Sequence, residues 1–175
     1  MSKIIAFTGS NSSTSINDQL LKYSLQYFEH NQVDYIDLKA LNVPVYSEDI
    51  EQEYGIPDPI QNLRSTIDSA DALVVAINEH NGTMSAFFKN ITDWLSRTGS
   101  YLEGKVIFLL STSPGEGAAR NCMEYTVANF QKFGGQIDQT FSVPSFQDHF
   151  QDGKLADELH KDLMTSITAF ENNLK

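Results

Sequence analysis

Residues 4–18, "IIAFTGSNSSTSIND", join a short apolar run to a loop of small hydrogen-bonding residues and then to the start of a second pattern. Ile4 to Phe7 do not alternate with polar residues, which predicts a strand buried on both faces. Downstream, Ile16, Leu20, Leu21, Leu25 and Phe28 recur at the spacing of one helical face. Between them, Ser15 and Asp18 stand at capping-box spacing. A cap uses only one or two of the hydroxyls at Ser10, Ser12, Ser13, Thr14 and Ser15. A phosphate would use more, because the free N–H groups and dipole of a helix N-terminus point at an anion. The loop carries no Lys or Arg, and it is neither a Walker loop nor G-x-G-x-x-G.

The same alternation continues along the chain. "ALVVAI" at 72–77 and "KVIFLL" at 105–110 read as buried strands, with weaker candidates "VDYIDL" at 33–38 and "IDQTFSV" at 137–143. Helical stripes fall at Ile60, Leu63 and Ile67, and at Phe87, Ile91, Trp94 and Leu95. Two more run from Cys122 to Phe130, in a helix starting near Gly117, and from Leu155 to Phe170. The order predicts an α/β three-layer sandwich: a five-stranded parallel sheet of order 2-1-3-4-5 with helices on both faces. No repeat or linker divides the chain, so residues 1–175 are expected to form one domain. Residues 39–57, with "PVYSEDIEQEYGIPD", are expected to be irregular, and loops of that length are usually functional.

The net charge of -11 excludes a general nucleic-acid surface or anionic-membrane surface, since both need clustered cations. The apolar run near Met1 is too short for a signal peptide, and no stretch approaches the ~20 apolar residues of a membrane span. With a single cysteine, Cys122, neither an internal disulfide nor a multi-cysteine metal site is possible. A cytoplasmic location is expected, with Cys122 as a small buried residue.

In a sheet of this order, ligands bind beyond the carboxyl ends of the strands at the switch point between strands one and three. Three loops meet there: 9–17, 78–83 and 111–117. "NEHNGT" at 78–83 ends in the turn signal Asn81-Gly82 and could lie flat along a planar ligand, with His80 and Asn81 at its edge. "STSPGEGAAR" is again small and hydroxyl-rich, with Ser113-Pro114-Gly115 turning the chain and Gly117 allowing close approach.

Taken together these loops resemble the NAD(P)H-dependent FMN reductases of flavodoxin-like fold, a family that includes quinone, chromate and azo-dye reductases. The family pattern G-S-x-R-x-x-S-x-N is matched at Gly9, Ser10, Ser15 and Asn17. P-E-Y-N-G-S is echoed by Asn78-Glu79-His80-Asn81-Gly82-Thr83, and L-K-N-x-x-D-W-x-S-R by Phe88 to Arg97. S-P-G-x-x-G is similar to Ser113-Pro114-Gly115-Glu116-Gly117-Ala118. The chain departs from these patterns at Ser12 (arginine), Asn78 (proline), His80 (tyrosine) and Ala118 (glycine).

The resemblance implies FMN as cofactor and NADPH or NADH as co-substrate, with a small electron acceptor such as a flavin or quinone. It places Gly9, Ser10, Ser12, Ser15, Ile16 and Asn17 around the phosphate, the last two partly through backbone N–H groups. Asn78, Glu79, His80, Asn81 and Gly82 would line the isoalloxazine, and Ser113, Pro114 and Gly115 would flank its pyrimidine side. No acid–base catalyst and no metal ligand is implied. A homodimer or homotetramer is, with the Trp94 helix at the interface and Arg97 in an intersubunit contact. A flavodoxin-type electron carrier and a non-catalytic flavodoxin-like protein are the alternatives.

Overall fold

The computed structural model describes residues 1–174. The chain runs through β1 (Lys3–Thr8), α1 (Ile16–Leu25), β2 (Gln32–Tyr35), a 3-10 turn at Leu38–Ala40, α2 (Glu48–Tyr54), α3 (Asp58–Asp68) and β3 (Ala72–Ile77). A small hairpin of β4 (Glu79–His80) and β5 (Thr83–Met84) precedes α4 (Ala86–Ser96), β6 (Val106–Thr112) and α5 (Arg120–Lys132). Then come β7 (Gln136–Val143), α6 (Phe146–His149), a second hairpin of β8 (Phe150–Gln151) and β9 (Lys154–Leu155), and α7 (Asp157–Asn173). The long strands form one parallel sheet in the order β2-β1-β3-β6-β7. Counted among themselves, these strands have the expected 2-1-3-4-5 order.

The lack of alternation in the central strands follows from two covered faces. Ile5, Phe7, Leu73, Val75, Ile107 and Leu109 point to one side and pack with residues of α3, α4 and α5. Ile4, Ala6, Val74, Ala76, Phe108 and Leu110 point to the other and pack with α1 and α7. Successive residues of a strand alternate faces, so a strand buried on both must be apolar throughout. Every residue of β3 is buried.

Some boundaries differ from the sequence expectation. α2 lies inside the stretch expected to be irregular; none of its side chains is buried, so it has no apolar stripe to announce it. It is held by its ends instead: the Ser47 hydroxyl accepts the Ile50 N–H, and Gly55 leaves the helix at φ 77°. α5 begins at Arg120 rather than near Gly117, because Ala118 and Ala119 both take left-handed φ values. Phe28 lies beyond the end of α1 and Leu155 lies in β9, although both match the neighbouring helical stripe.

The segment after β2 is clamped to α4. The Pro44 carbonyl accepts hydrogen bonds from Asn90 Nδ2 (3.0 Å) and from Trp94 Nε1 (2.9 Å). The Tyr46 N–H donates to Asn90 Oδ1 at 2.8 Å, and the Tyr46 ring meets the fully buried Trp94 edge-on at 5.0 Å. Glu51 closes the clamp by accepting from Arg97 Nε and from the Tyr46 hydroxyl. Arg97 thus spends Nε within its own chain, and its side chain remains 46% exposed.

The Arg97 hydrogen bond holds the Glu51 carboxyl below the usual carboxylate range, helped by Tyr46 and opposed by desolvation. A depressed folded-state pKa gives stability that is present above the unfolded value and lost as pH falls through the folded one. Acidification below about pH 4 is therefore expected to release this segment. Fluorescence of Trp94, the single tryptophan, should show an acid-induced step that is absent in Glu51→Gln.

Candidate functional site

At the end of β1 the chain passes very close to α4. Gly9 N–H donates to the Ala76 carbonyl, and the Gly9 carbonyl accepts from Ser85 Oγ, which also caps α4 through Phe88 N–H. A Cβ on Gly9 would lie 2.7 Å from the Phe88 ring, so the close approach requires glycine. The following turn is organised by its own hydroxyls. Ser10 Oγ accepts from Ser12 N–H, Ser12 Oγ from Thr14 N–H, and Ser15 Oγ from Asp18 N–H, each at 3.2 Å. The Ser10 and Ser15 hydroxyls, while accepting, keep a proton to donate, and the Ser12 and Thr14 hydroxyls share a further hydrogen bond at 3.3 Å. Ser15 is the N-cap of α1, as its spacing suggests. The Asp18 carboxylate does not reach back to complete a capping box; it accepts from the Tyr35 hydroxyl and pairs with Lys22.

Asn17 corrects one expectation. Its carboxamide donates to the Thr112 carbonyl at 3.2 Å and accepts the Thr112 N–H at 2.8 Å, and the residue is 3% exposed. Both polar atoms of the side chain are thus engaged by the Thr112 peptide, which leaves one amide proton unused. What Ile16 and Asn17 do offer is backbone N–H, since the first N–H groups of a helix have no intrahelical acceptor.

The second loop is a two-residue hairpin. Glu79 pairs with Met84 and His80 with Thr83, while Asn81 and Gly82 take φ 53° and 82°. Positive φ at both central positions is the type I′ requirement, and Asn-Gly is the pair that meets it most readily. Asn78 Nδ2 and His80 Nε2 lie 3.2 Å apart. Glu79 acts at a distance: one carboxylate oxygen accepts Cys122 N–H at 2.9 Å, in the first turn of α5. The N-cap of that helix, Ala119, has no side chain able to cap it, so Glu79 supplies the missing acceptor. Cys122 is fully buried, and desolvation pushes its thiol up to about 11, which makes it unsuited to nucleophilic work.

These elements enclose a cleft of about 290 Å³ at the carboxyl ends of β1, β3 and β6. Ser10, Ser12, Ser15, Ile16 and Asn17 line it from the first loop. Asn78, Glu79 and His80 line it from the second, and Ser113 and Pro114 from the third. Gly9 sits beneath, Asn81 and Gly82 form the hairpin tip, and Gly115 stands outside the wall, where its carbonyl accepts from Ser113 Oγ. Thr14, Thr112 and Gln147 also line the cleft. Gln147 comes from α6, after β7, a loop to which the switch-point rule does not point. No lysine or arginine contributes to the wall, and its one carboxylate, on Glu79, is engaged with α5.

The sheet order defines a flavodoxin-like α/β protein, with a hydroxyl-lined cleft over a helix N-terminus. The model of the NADPH-dependent FMN reductase family matches residues 2–148, and the chain belongs to that family. It is thus a flavin-dependent oxidoreductase that uses FMN with a nicotinamide co-substrate. The chain is 28% identical to an NADPH:quinone oxidoreductase of Arabidopsis thaliana, covering 99% of this chain and 93% of that one. It is 29% identical to a quinone reductase of Escherichia coli, over 74% and 72% of the two chains. Its backbone follows the flavoenzyme NAD(P)H:(acceptor) oxidoreductase of Paracoccus denitrificans with a TM-score of 0.79 at 22% identity, covering 99% and 97% of the chains.

The family pattern also gives a reason for backbone strain beside the cleft. Ala118 stands where S-P-G-x-x-G has its second glycine, and its φ is 50°. A left-handed residue with a Cβ costs ~1–2 kcal/mol, of which the added freedom of glycine in the unfolded chain cancels part. Ala118→Gly should therefore stabilise the protein by about 0.5–1 kcal/mol, read as a higher midpoint in urea denaturation.

Proposed function

We propose that the cleft is the FMN site, with the phosphate at the N-terminus of α1 and the ring system along residues 78–80 and 113–114. The observation that carries this reading is the pairing of free N–H groups at Ile16 and Asn17 with hydroxyls that still have a proton to donate, all in one cleft. The absence of cations from the wall is compatible with a phosphate, because helix N-termini bind anions through oriented N–H groups and the dipole. Gly9, Asn81, Gly82 and Gly115 serve by shaping the loops that carry the contacting residues.

The two faces of the sheet give the site a direction. The first loop leads into α1, whose side chains pack on one face, whereas Met84 and Phe88 after the hairpin pack on the other. The phosphate end therefore lies toward α1, and the ring end toward α4 and α5. When bound, FMN supplies hydride transfer between the nicotinamide and the acceptor. The protein's share is to fix the phosphate, to hold the ring between the hairpin and Pro114, and to leave one side open to NADPH or NADH and then to the acceptor. Asn78 Nδ2 and His80 Nε2 meet at the ring end, while the buried Asn78 Oδ1 has no partner among the described residues.

A quinone or a free flavin is the acceptor class this reading favours, in keeping with the quinone reductases among the relatives. We assign the chain to one domain over residues 1–175, working in the cytoplasm as a homodimer or homotetramer. Exposed Val45 and Tyr54, on the segment clamped to α4, are apolar surface that a second copy could cover.

Purified protein should carry, or gain on addition of FMN, a flavin absorption spectrum. Steady oxidation of NADPH or NADH with excess quinone or FMN should follow. A flavin spectrum without steady nicotinamide oxidation would mean an electron carrier, and no spectral change on FMN titration would remove the site assignment.

A further inference from the structure

Three carboxamide side chains stand in the wall of the cleft. Asn17 is paired on both its atoms with the Thr112 peptide, and Asn78 spends Nδ2 on His80, leaving only an acceptor, its buried Oδ1, without a partner among the described residues. The third, Gln147, has no side-chain hydrogen bond among the described residues; only its carbonyl is used, by Gln151. It is a donor and acceptor facing the cleft with its capacity unspent.

Gln147 is held there by more than chance. Ser145 takes a left-handed φ of 41°, strain of the kind that persists only where surrounding contacts enforce it. Its N–H donates to the Gly115 carbonyl at 2.9 Å, and Phe146 N–H donates to the Ser113 carbonyl at 3.0 Å. Phe146 is buried and stacks on Phe150 at 4.7 Å, and Phe150 meets Tyr23 of α1 edge-on at 5.5 Å. Phe146 belongs to the same core as Leu20 and Leu21 of α1. Gln147 therefore enters the cleft from the α1 side, which is the end where helix N–H groups are free.

That end lacks a cation. Ser12 occupies the position at which the family pattern has arginine, and no other lining residue replaces the charge. We infer that Gln147 donates to the FMN phosphate and, with the neutral donors of the first loop, sets this chain's preference for a phosphorylated flavin over riboflavin. The inference rests on the reading of the cleft as an FMN site. A hydrogen bond to a charged group is worth enough that its removal should weaken binding by about ten- to a hundredfold.

The test is a fluorescence titration of flavin-free wild type, Gln147→Ala and Gln147→Glu with FMN and, separately, riboflavin. Thermal unfolding of each flavin-free protein reports whether it is folded. Wild type should bind FMN more tightly than riboflavin. Q147A should lose at least about tenfold in FMN affinity, and Q147E, which sets a like charge against the phosphate, should lose more. Riboflavin affinity should stay within about twofold in both variants. If both flavins weaken alike, or if neither variant affects FMN, Gln147 does not contact the phosphate and the inference fails while the flavin site stands. If wild type binds neither flavin, the reading of the cleft and this inference fall together.

Discussion

The Asn17 carboxamide and the Thr112 peptide exchange two hydrogen bonds, and the geometry of the cleft follows from that exchange. β3 ends at Ile77, opposite Ser111, so Thr112 has a strand partner only on the β7 side, at Val143. Its other edge is buried, and an unpaired buried peptide group costs ~1–3 kcal/mol. A carboxamide has the donor and acceptor of a peptide, so Asn17 extends the ladder by one rung with a side chain. Because Asn17 lies in the first turn of α1, the same contact aligns the open end of that helix with the tip of β6. The first and third loops meet over the sheet for this reason.

Backbone strain gathers around the same place. Of the non-glycine residues with positive φ, Asn81, Ala118, Ala119 and Ser145 all lie in segments that border the cleft. Asn81 is a residue type that tolerates this conformation; the two alanines and the serine are not. Each is enforced by neighbours: the Ala118 carbonyl accepts from Ser111 Oγ, and Ser145 is tied to Gly115. The two alanines leave α5 without a capping side chain, and Glu79 answers from the neighbouring hairpin. The hairpin and α5 are thus coupled through one carboxylate.

The motif from Lys89 to Arg97 has a second kind of meaning. Asn90, Trp94 and Arg97 turn inward and hold the segment after β2, while Lys89 and Asp93 pair along the helix surface. Residues legible in the sequence as a family signature are, in this chain, mostly an internal clamp. The sheet order and its covering helices were legible because long buried strands must be apolar on both faces. α2, α6 and the hairpin strands were not, since none is long enough to show a period, although Asn81-Gly82 announced the turn of the first hairpin. The hydroxyls of the first loop line the cleft as their composition suggested, but nothing local marked Gln147, which reaches it through the packing of Phe146 and Phe150.

Composition and periodicity were sufficient for the α/β sandwich and for the three loops that gather beyond the ends of β1, β3 and β6. These are consequences of burial and of residue type, which local sequence carries. Which polar groups remain free for a ligand is a different matter. A carboxamide at position 17 reads as a donor until the tertiary structure sets it against an unpaired peptide 95 residues away. Glu79 reads only as part of the ring wall until α5, in need of a cap, takes one of its carboxylate oxygens. Hydrogen-bonding capacity is finite, and how it divides between fold and ligand depends on partners distant in the chain, so only the assembled structure decides it.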